Sequence, residues 1–99
     1  MKYLIEKTDF FDKWLTKLKD RNAKSAILMR IMRVENGNFG DVKSVGVPIQ
    51  EMRIFVGKGY RIYFTVRNDR IILLLYGGHK GTQSKDIEKA HQLLADLES

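Results

Sequence analysis

Phe10, Trp14 and Leu18 recur at every fourth position, and Phe11 and Leu15 repeat the spacing one step along. This is the period of an amphipathic helix, with its aromatic stripe turned towards a core. Thr8 or Asp9 is placed to cap it, and Asp12 lies favourably in its first turn. Residues 20–22 make a break. Ala23, Ala26, Ile27, Ile31 and Val34 then predict a second helix over residues 23–34, stopped near Asn36-Gly37. Ahead of both helices, KYLIE (2–6) reads as a strand.

After a Gly/Asn-rich loop at 36–41, VKSVGVPIQ is extended but broken by Gly46 and Pro48. The pattern then turns to β. EMRIFV (51–56), YRIYFTV (60–66) and IILLLY (71–76) predict an antiparallel meander joined by GKG and RNDR. The last run is apolar at every position, as in a central strand covered on both faces. From Gly81 or Thr82 onward, Ile87, Ala90, Leu93, Leu94 and Leu97 predict a closing amphipathic helix.

A three-residue GKG turn sets Val56 opposite Tyr60, Ile54 opposite Ile62 and Met52 opposite Phe64, an apolar face that needs helices over it. A two-residue Asn68-Asp69 turn sets Arg61 beside Tyr76 and Tyr63 beside Leu74. Alternation then gathers Glu51, Arg53, Arg61, Tyr63 and Tyr76 on the opposite face. Gly77, Gly78, His79 and Lys80 reach the same rim, and Lys58 sits in the turn beside it.

The 99 residues suit one domain with a modest core, spanning 1–99. No apolar run is long enough to span a bilayer, and the early Glu6 and Asp9 do not suit a signal peptide. With no cysteine, disulfides and thiolate metal sites are excluded. A soluble cytoplasmic protein is expected. The formal charge of +6 points to an acidic partner, either nucleic acid or an acidic protein segment. Lys13, Lys17, Lys19, Lys24, Arg30 and Arg33, on the outer faces of the two helices, read mainly as a solvated surface.

Two arginines on neighbouring strands repel unless an anion lies between them. Glu51 and Asp86 are too few to neutralise Arg53, Arg61, Lys58 and Lys80, so a phosphate-binding surface is favoured over a salt-bridge network. His79 and His91 lack the partners of a metal site, and no metal or other cofactor is expected. His91 reads as a surface or packing residue. No nucleophile elbow, Walker loop or dinucleotide fingerprint is present. A basic site with tyrosines suits cleavage of RNA, which carries its own nucleophile, the 2′-hydroxyl. Arg53 and Arg61 would hold the phosphate and its developing charge. Glu51 or Lys80 is the candidate base, and His79, Tyr63 or Tyr76 the candidate acid. Tyrosine could instead stack on a base.

The segments GNFGDVKSVG, IQEMRI, GKGYRIYF and LLLYGGHKGTQSKDIEKA resemble the RelE/ParE toxin superfamily, in its HigB-like branch of phage-derived addiction-module killer proteins. The resemblance covers nearly the whole chain. It implies a small α+β fold: an antiparallel sheet of about four strands packed against two N-terminal helices, with a C-terminal helix. It also implies the toxin of a type II toxin–antitoxin system that cleaves mRNA on the ribosome. The partners it implies are the ribosome, mRNA and a cognate helix-turn-helix antitoxin, with operator DNA reached only through the complex and no membrane. By position, Glu51 and Arg53, then Arg61 and Tyr63, then His79 and Lys80 are its catalytic candidates. Lys85 follows in the same motif, and with Lys58 and Tyr76 from the register reading it is an RNA- or phosphate-binding candidate. Lys58 stands where the branch often has proline, and His79 where it commonly has an acidic residue. Two other readings stay open: a ParE-like inhibitor of DNA gyrase without nuclease activity, and a non-toxic regulator acting with its antitoxin.

Overall fold

Both N-terminal helices begin at a side-chain oxygen that the sequence supplies. In the computed structural model, which describes residues 2–99, strand β1 (Leu4–Lys7) leads into helix α1 (Asp9–Lys17), and helix α2 (Arg21–Glu35) follows. Thr8 caps α1, its Oγ1 accepting from Phe11 N at 3.0 Å and donating to Leu75 O at 2.7 Å. Asp20 caps α2, accepting from Ala23 N at 3.0 Å. The break at residues 20–22 is therefore a cap followed directly by helix, and α2 starts two residues earlier than the apolar pattern indicates. Caps are polar and leave no mark in hydrophobic periodicity.

Four more strands follow: β2 (Val42–Ser44), β3 (Gln50–Ile54), β4 (Tyr60–Arg67) and β5 (Ile71–His79). A 3₁₀ turn (Lys80–Thr82) then leads into helix α3 (Gln83–Glu98). The strands form one sheet in the order β1-β5-β4-β3-β2. Strand β1 runs parallel to β5, and the other pairs are antiparallel. The fold is thus the α+β arrangement expected, with five strands where about four were anticipated. The short β2 comes from the segment broken by Gly46 and Pro48.

Helices α1 and α2 cover one face of the sheet. There Phe11, Ala23, Ile27 and Val34 pack against Met52, Ile54, Ile62, Phe64, Ile72 and Leu74. Helix α3 covers the other face, where Ala90 and Leu94 meet Ile49, Tyr63, Leu73 and Leu75. Each large apolar side chain so buried contributes about 1.5–3 kcal/mol. Strand β5 lies under helices on both sides, which is why its run is apolar at every position.

The trial registers are corrected in detail. Ile54 pairs with Tyr60, Met52 with Ile62 and Gln50 with Phe64. The turn is longer than GKG: Phe55 and Val56 leave the ladder, Gly59 N donates to Val56 O, and Gly57 and Gly59 take φ of 56° and 75°. This shift of two residues leaves every side chain on its assigned face. In the next hairpin Asn68 and Asp69 both have φ of 53°, and Arg67 faces Ile71. A bulge at Leu75 then realigns the strands, so that Tyr63 faces Tyr76 and Arg61 faces Gly78.

Arg30 also departs from expectation. It does not lie on a solvated face. Its guanidinium donates to Phe39 O at 3.0 Å, Arg53 O at 2.9 Å and Asp41 O at 2.9 Å, fastening α2 to the loop before β2 and to the end of β3. Burial lowers its pKa from the ordinary value, with Asp41 opposing the shift. Among the described residues, no helix is long and apolar enough to cross a membrane.

Candidate functional site

Alternation along β3 and β4 puts Arg53 directly opposite Arg61, with Gly78 of β5 next in the row. One step along, Glu51 faces Tyr63, and Tyr63 faces Tyr76. The sheet therefore brings Glu51, Arg53, Arg61 and Tyr63 together, as the sequence pattern proposes. The face is not open, however. Helix α3 must bury its own apolar stripe, and it does so here. Glu51 and Tyr63 have no solvent exposure and Arg61 retains 7%.

These side chains form a closed network. Glu51 Oε2 accepts from Tyr63 OH at 3.1 Å and from Gln83 Nε2, at the start of α3, at 2.7 Å. Arg61 Nε lies 3.8 Å from the same oxygen, and Arg61 NH1 donates to Gly59 O at 2.6 Å. Glu51 Oε1 and Arg61 Nε are buried without a hydrogen-bond partner. Burial, reinforced by the Glu51 charge, pushes the Tyr63 phenol well above its ordinary pKa. In this arrangement Tyr63 holds its proton and gives it as a hydrogen bond to Glu51.

Arg53 has a partner outside the carboxylates counted from the sequence. Its NH2 pairs with Asp41 Oδ1 at 3.0 Å, in a partly exposed bridge. The expectation of too few carboxylates is therefore corrected for the arginines: Arg53 has Asp41, and Arg61 has Glu51. It stands for the lysines, since among the described residues neither Lys58 nor Lys80 makes a salt bridge. Both are exposed at the end of the sheet. Their positions are linked through Gly59, whose carbonyl accepts from Lys80 N at 2.9 Å.

His79 is half-buried at the same rim. Its Nδ1 accepts from Gly81 N at 3.0 Å, and Thr82 closes the box from the other side. With Nδ1 accepting from the backbone, Nε2 is the ring nitrogen left to make an outward hydrogen bond. Thr82 also hydrogen-bonds Asp86, whose carboxyl fills the space beside Gly78. A side chain on Gly78 would run into that carboxyl, and one on Gly77 would run into the Trp14 ring. The two glycines thus admit α3 and α1 to opposite sides of the strand end.

Tyr76 lies at the margin of this cluster, packed against the apolar residues under α3. It faces Tyr63 in register yet lines a groove of about 420 Å³ with Phe10, Lys13 and Trp14 of α1. Lys85 lies exposed in the first turn of α3. His91 is a packing residue, its Nε2 lying 2.9 Å from Val45 O. Asp41 escapes the sequence reading, and Gln83 enters it only as a residue after Lys80 in the resembling segment, without a role. Asp41 lies in a loop with no periodicity, and Gln83 reads as one polar residue among many at a helix start.

Residues 13–96 match the family model described as Phage derived protein Gp49-like (DUF891). An uncharacterized protein of Haemophilus influenzae is 50% identical over 93 residues, covering 94% of each chain. Among solved structures, a mutant of the Escherichia coli toxin RelE in the free state superposes with a TM-score of 0.69 at 16% identity, over 90% of this chain and 98% of that one. The toxin–antitoxin complex RelBE2 of Mycobacterium tuberculosis gives 0.64 at 16% identity, over 81% and 100%. The intact E. coli RelBE complex gives 0.61 at 16% identity, over 78% and 95%. The fold is that of the RelE toxins.

Proposed function

This chain belongs to the phage-derived Gp49-like family, and from that premise we propose that it is the toxin of a type II toxin–antitoxin pair, an endoribonuclease that cuts mRNA on the ribosome. The observation that carries the reading is a rim of unpaired lysines, Lys58 and Lys80, and the His79 ring, set beside Arg53 and Arg61 at one end of a RelE-type sheet. Excess positive charge held in one place suits a phosphodiester passing to a more highly charged transition state. The partner implied by the RelBE complexes is a cognate antitoxin.

In the proposed reaction the RNA 2′-hydroxyl gives its proton to Glu51 and attacks the adjacent phosphorus. The 5′-oxygen leaves with a proton from His79, giving a 2′,3′-cyclic phosphate and a free 5′-hydroxyl. Lys58 and Lys80 hold the phosphate, Arg53 and Arg61 stabilise the added charge, and His79 directs Nε2 at the leaving oxygen. Glu51 and Tyr63 reach the substrate only once Gln83 lets go of Glu51 and the start of α3 shifts. A site closed in the free protein fits an enzyme that acts only after docking on the ribosome.

The test is primer extension on a defined mRNA, during reconstituted translation and free in buffer, with wild type, Lys58→Ala and Lys80→Ala. These lysines are exposed and unpaired, so their loss spares the fold. Arg61→Ala is a poorer probe, because it strips a buried carboxylate of its nearest cation. Cuts confined to translation are expected, falling about a hundredfold or more in Lys80→Ala. A protein that arrests growth without cutting any RNA would sink the nuclease reading and redirect attention to gyrase.

A further inference from the structure

Two grooves meet along α1, the first of them at the edge of the sheet where Tyr76 of β5 lies beside α1. The first, of about 420 Å³, is walled by Lys13, Lys17, Trp14 and Tyr76. The second, of about 480 Å³, continues it past Lys19 to Lys58 and Tyr60 in the β3–β4 turn. Lys17 and Leu18 line both, so the two grooves adjoin along α1 as a lysine-edged channel with Lys17 at its middle. It ends at Lys58, one residue from the Gly59 carbonyl that holds Lys80. The channel therefore opens onto the rim of the proposed site.

Its electrostatics are one-sided. Lys13, Lys17, Lys19 and Lys58 line it, and among the described residues none of them is in a salt bridge. The one carboxylate in its wall, Asp20, is already engaged by Ala23 N at 3.0 Å and lies 3.5 Å from Tyr60 OH. Four uncompensated ammonium groups spaced along a channel match the repeating phosphates of an extended strand. The floor is aromatic. Trp14 packs on Phe11 and Tyr60, with ring centroids 5.7 and 6.4 Å away, and Tyr76 is partly exposed at the far end, its inner side against the α3-face core. Lysines along a trough with aromatic rings beneath suit unpaired bases with a tracking backbone, and suit a duplex poorly.

We propose that this channel is a binding track for single-stranded RNA, holding the nucleotides that flank the phosphate at the Lys58–Lys80 rim. The identity of the strand rests on the proposed function; the track itself rests on the channel's own shape and charge. It also gives a ligand to lysines that the sequence pattern alone assigns to a solvated face.

The probe is a fluorescein-labelled twelve-residue RNA with 2′-O-methyl groups throughout, which cannot be cut by 2′-hydroxyl attack. Fluorescence anisotropy against salt concentration is read for wild type, for Lys13→Ala/Lys17→Ala and for Tyr76→Leu, each checked for native circular dichroism. Removing two phosphate contacts is expected to flatten the slope of log affinity against log salt by about 1.4 and to weaken binding about tenfold or more near 0.1 M salt. Tyr76→Leu is expected to weaken binding about fivefold or more with the slope unchanged. A matching RNA duplex is expected to bind more weakly than the single strand. Wild-type affinity and slope in the double-lysine variant would overturn the track, as would duplex binding equal to that of the strand. Because this RNA is never cleaved, the two readings fail separately. Track-dependent binding without any cuts in primer extension removes the nuclease and keeps the track; cuts with track-independent binding do the reverse.

Discussion

Asp86 shows how a single carboxyl can serve the fold at a cost that depends on pH. It fills the space left by Gly78 and holds Thr82 at the start of α3. Burial raises its pKa from the ordinary carboxylate value, while the Thr82 hydroxyl and His79 pull it down. A raised pKa means that the folded protein binds this proton more tightly than the unfolded chain. The associated stability is fully present below the unfolded-state pKa of about 3.9 and is lost as pH rises through the folded-state value. Asp86→Asn keeps an oxygen for Thr82 and removes the titration. Urea midpoints of variant and wild type should therefore diverge in the variant's favour as pH rises from about 4 to 7. A difference that does not change with pH would show that burial of Asp86 leaves no imprint on stability. Glu51 is the contrasting case. Its Oε2 has two hydrogen bonds while Oε1 has none, an arrangement more intelligible as a site held shut than as a device for stability.

At the scale of elements, the connections matter more than the propensities. Helix α2 reaches β3 and the preceding loop through Arg30, whose guanidinium satisfies three carbonyls at once. That loop carries Asp41, the partner of Arg53, so α2 indirectly sets the position of a candidate site residue. Arg30→Met preserves much of the stem and leaves the three acceptors without their donor. The expected loss is about 2–3 kcal/mol, read as a lower urea midpoint with an unchanged slope. A loss under about 0.5 kcal/mol would mean that solvent replaces the guanidinium freely. The hairpins carry a related lesson. In the first hairpin the faces are legible from alternation, because a two-residue slip preserves them. In the second a one-residue slip near the turn moves Ile72 and Leu74 to the face under α1 and α2, and only the bulge at Leu75 restores Tyr76 to the face of Tyr63. The partners are legible in neither, because the five-residue connection after Ile54 and the bulge at Leu75 depend on backbone geometry.

For the molecule as a whole, the sheet is covered on both sides, and the second cover is one helix. A chain ending at Thr82 would expose Ile49, Tyr63, Leu73 and Leu75 together. Such a protein is expected to bind an apolar dye strongly and to lose its near-ultraviolet circular dichroism. Native-like spectra without dye binding would show that α3 is dispensable to the core. Periodicity and composition alone carry the order of the elements, the two faces of β3 and β4, the positive balance and the residue types at the strand ends. Each of these follows from short-range periodicity or composition. Tertiary packing alone settles which face α3 closes, that Arg53 belongs with Asp41, that Arg30 is a half-buried tie, and that Tyr76 borders both the α3-side core and the α1 groove. Those outcomes depend on which distant segment arrives at a given surface. Period-two alternation says which way a side chain points, and long-range packing chooses what it meets.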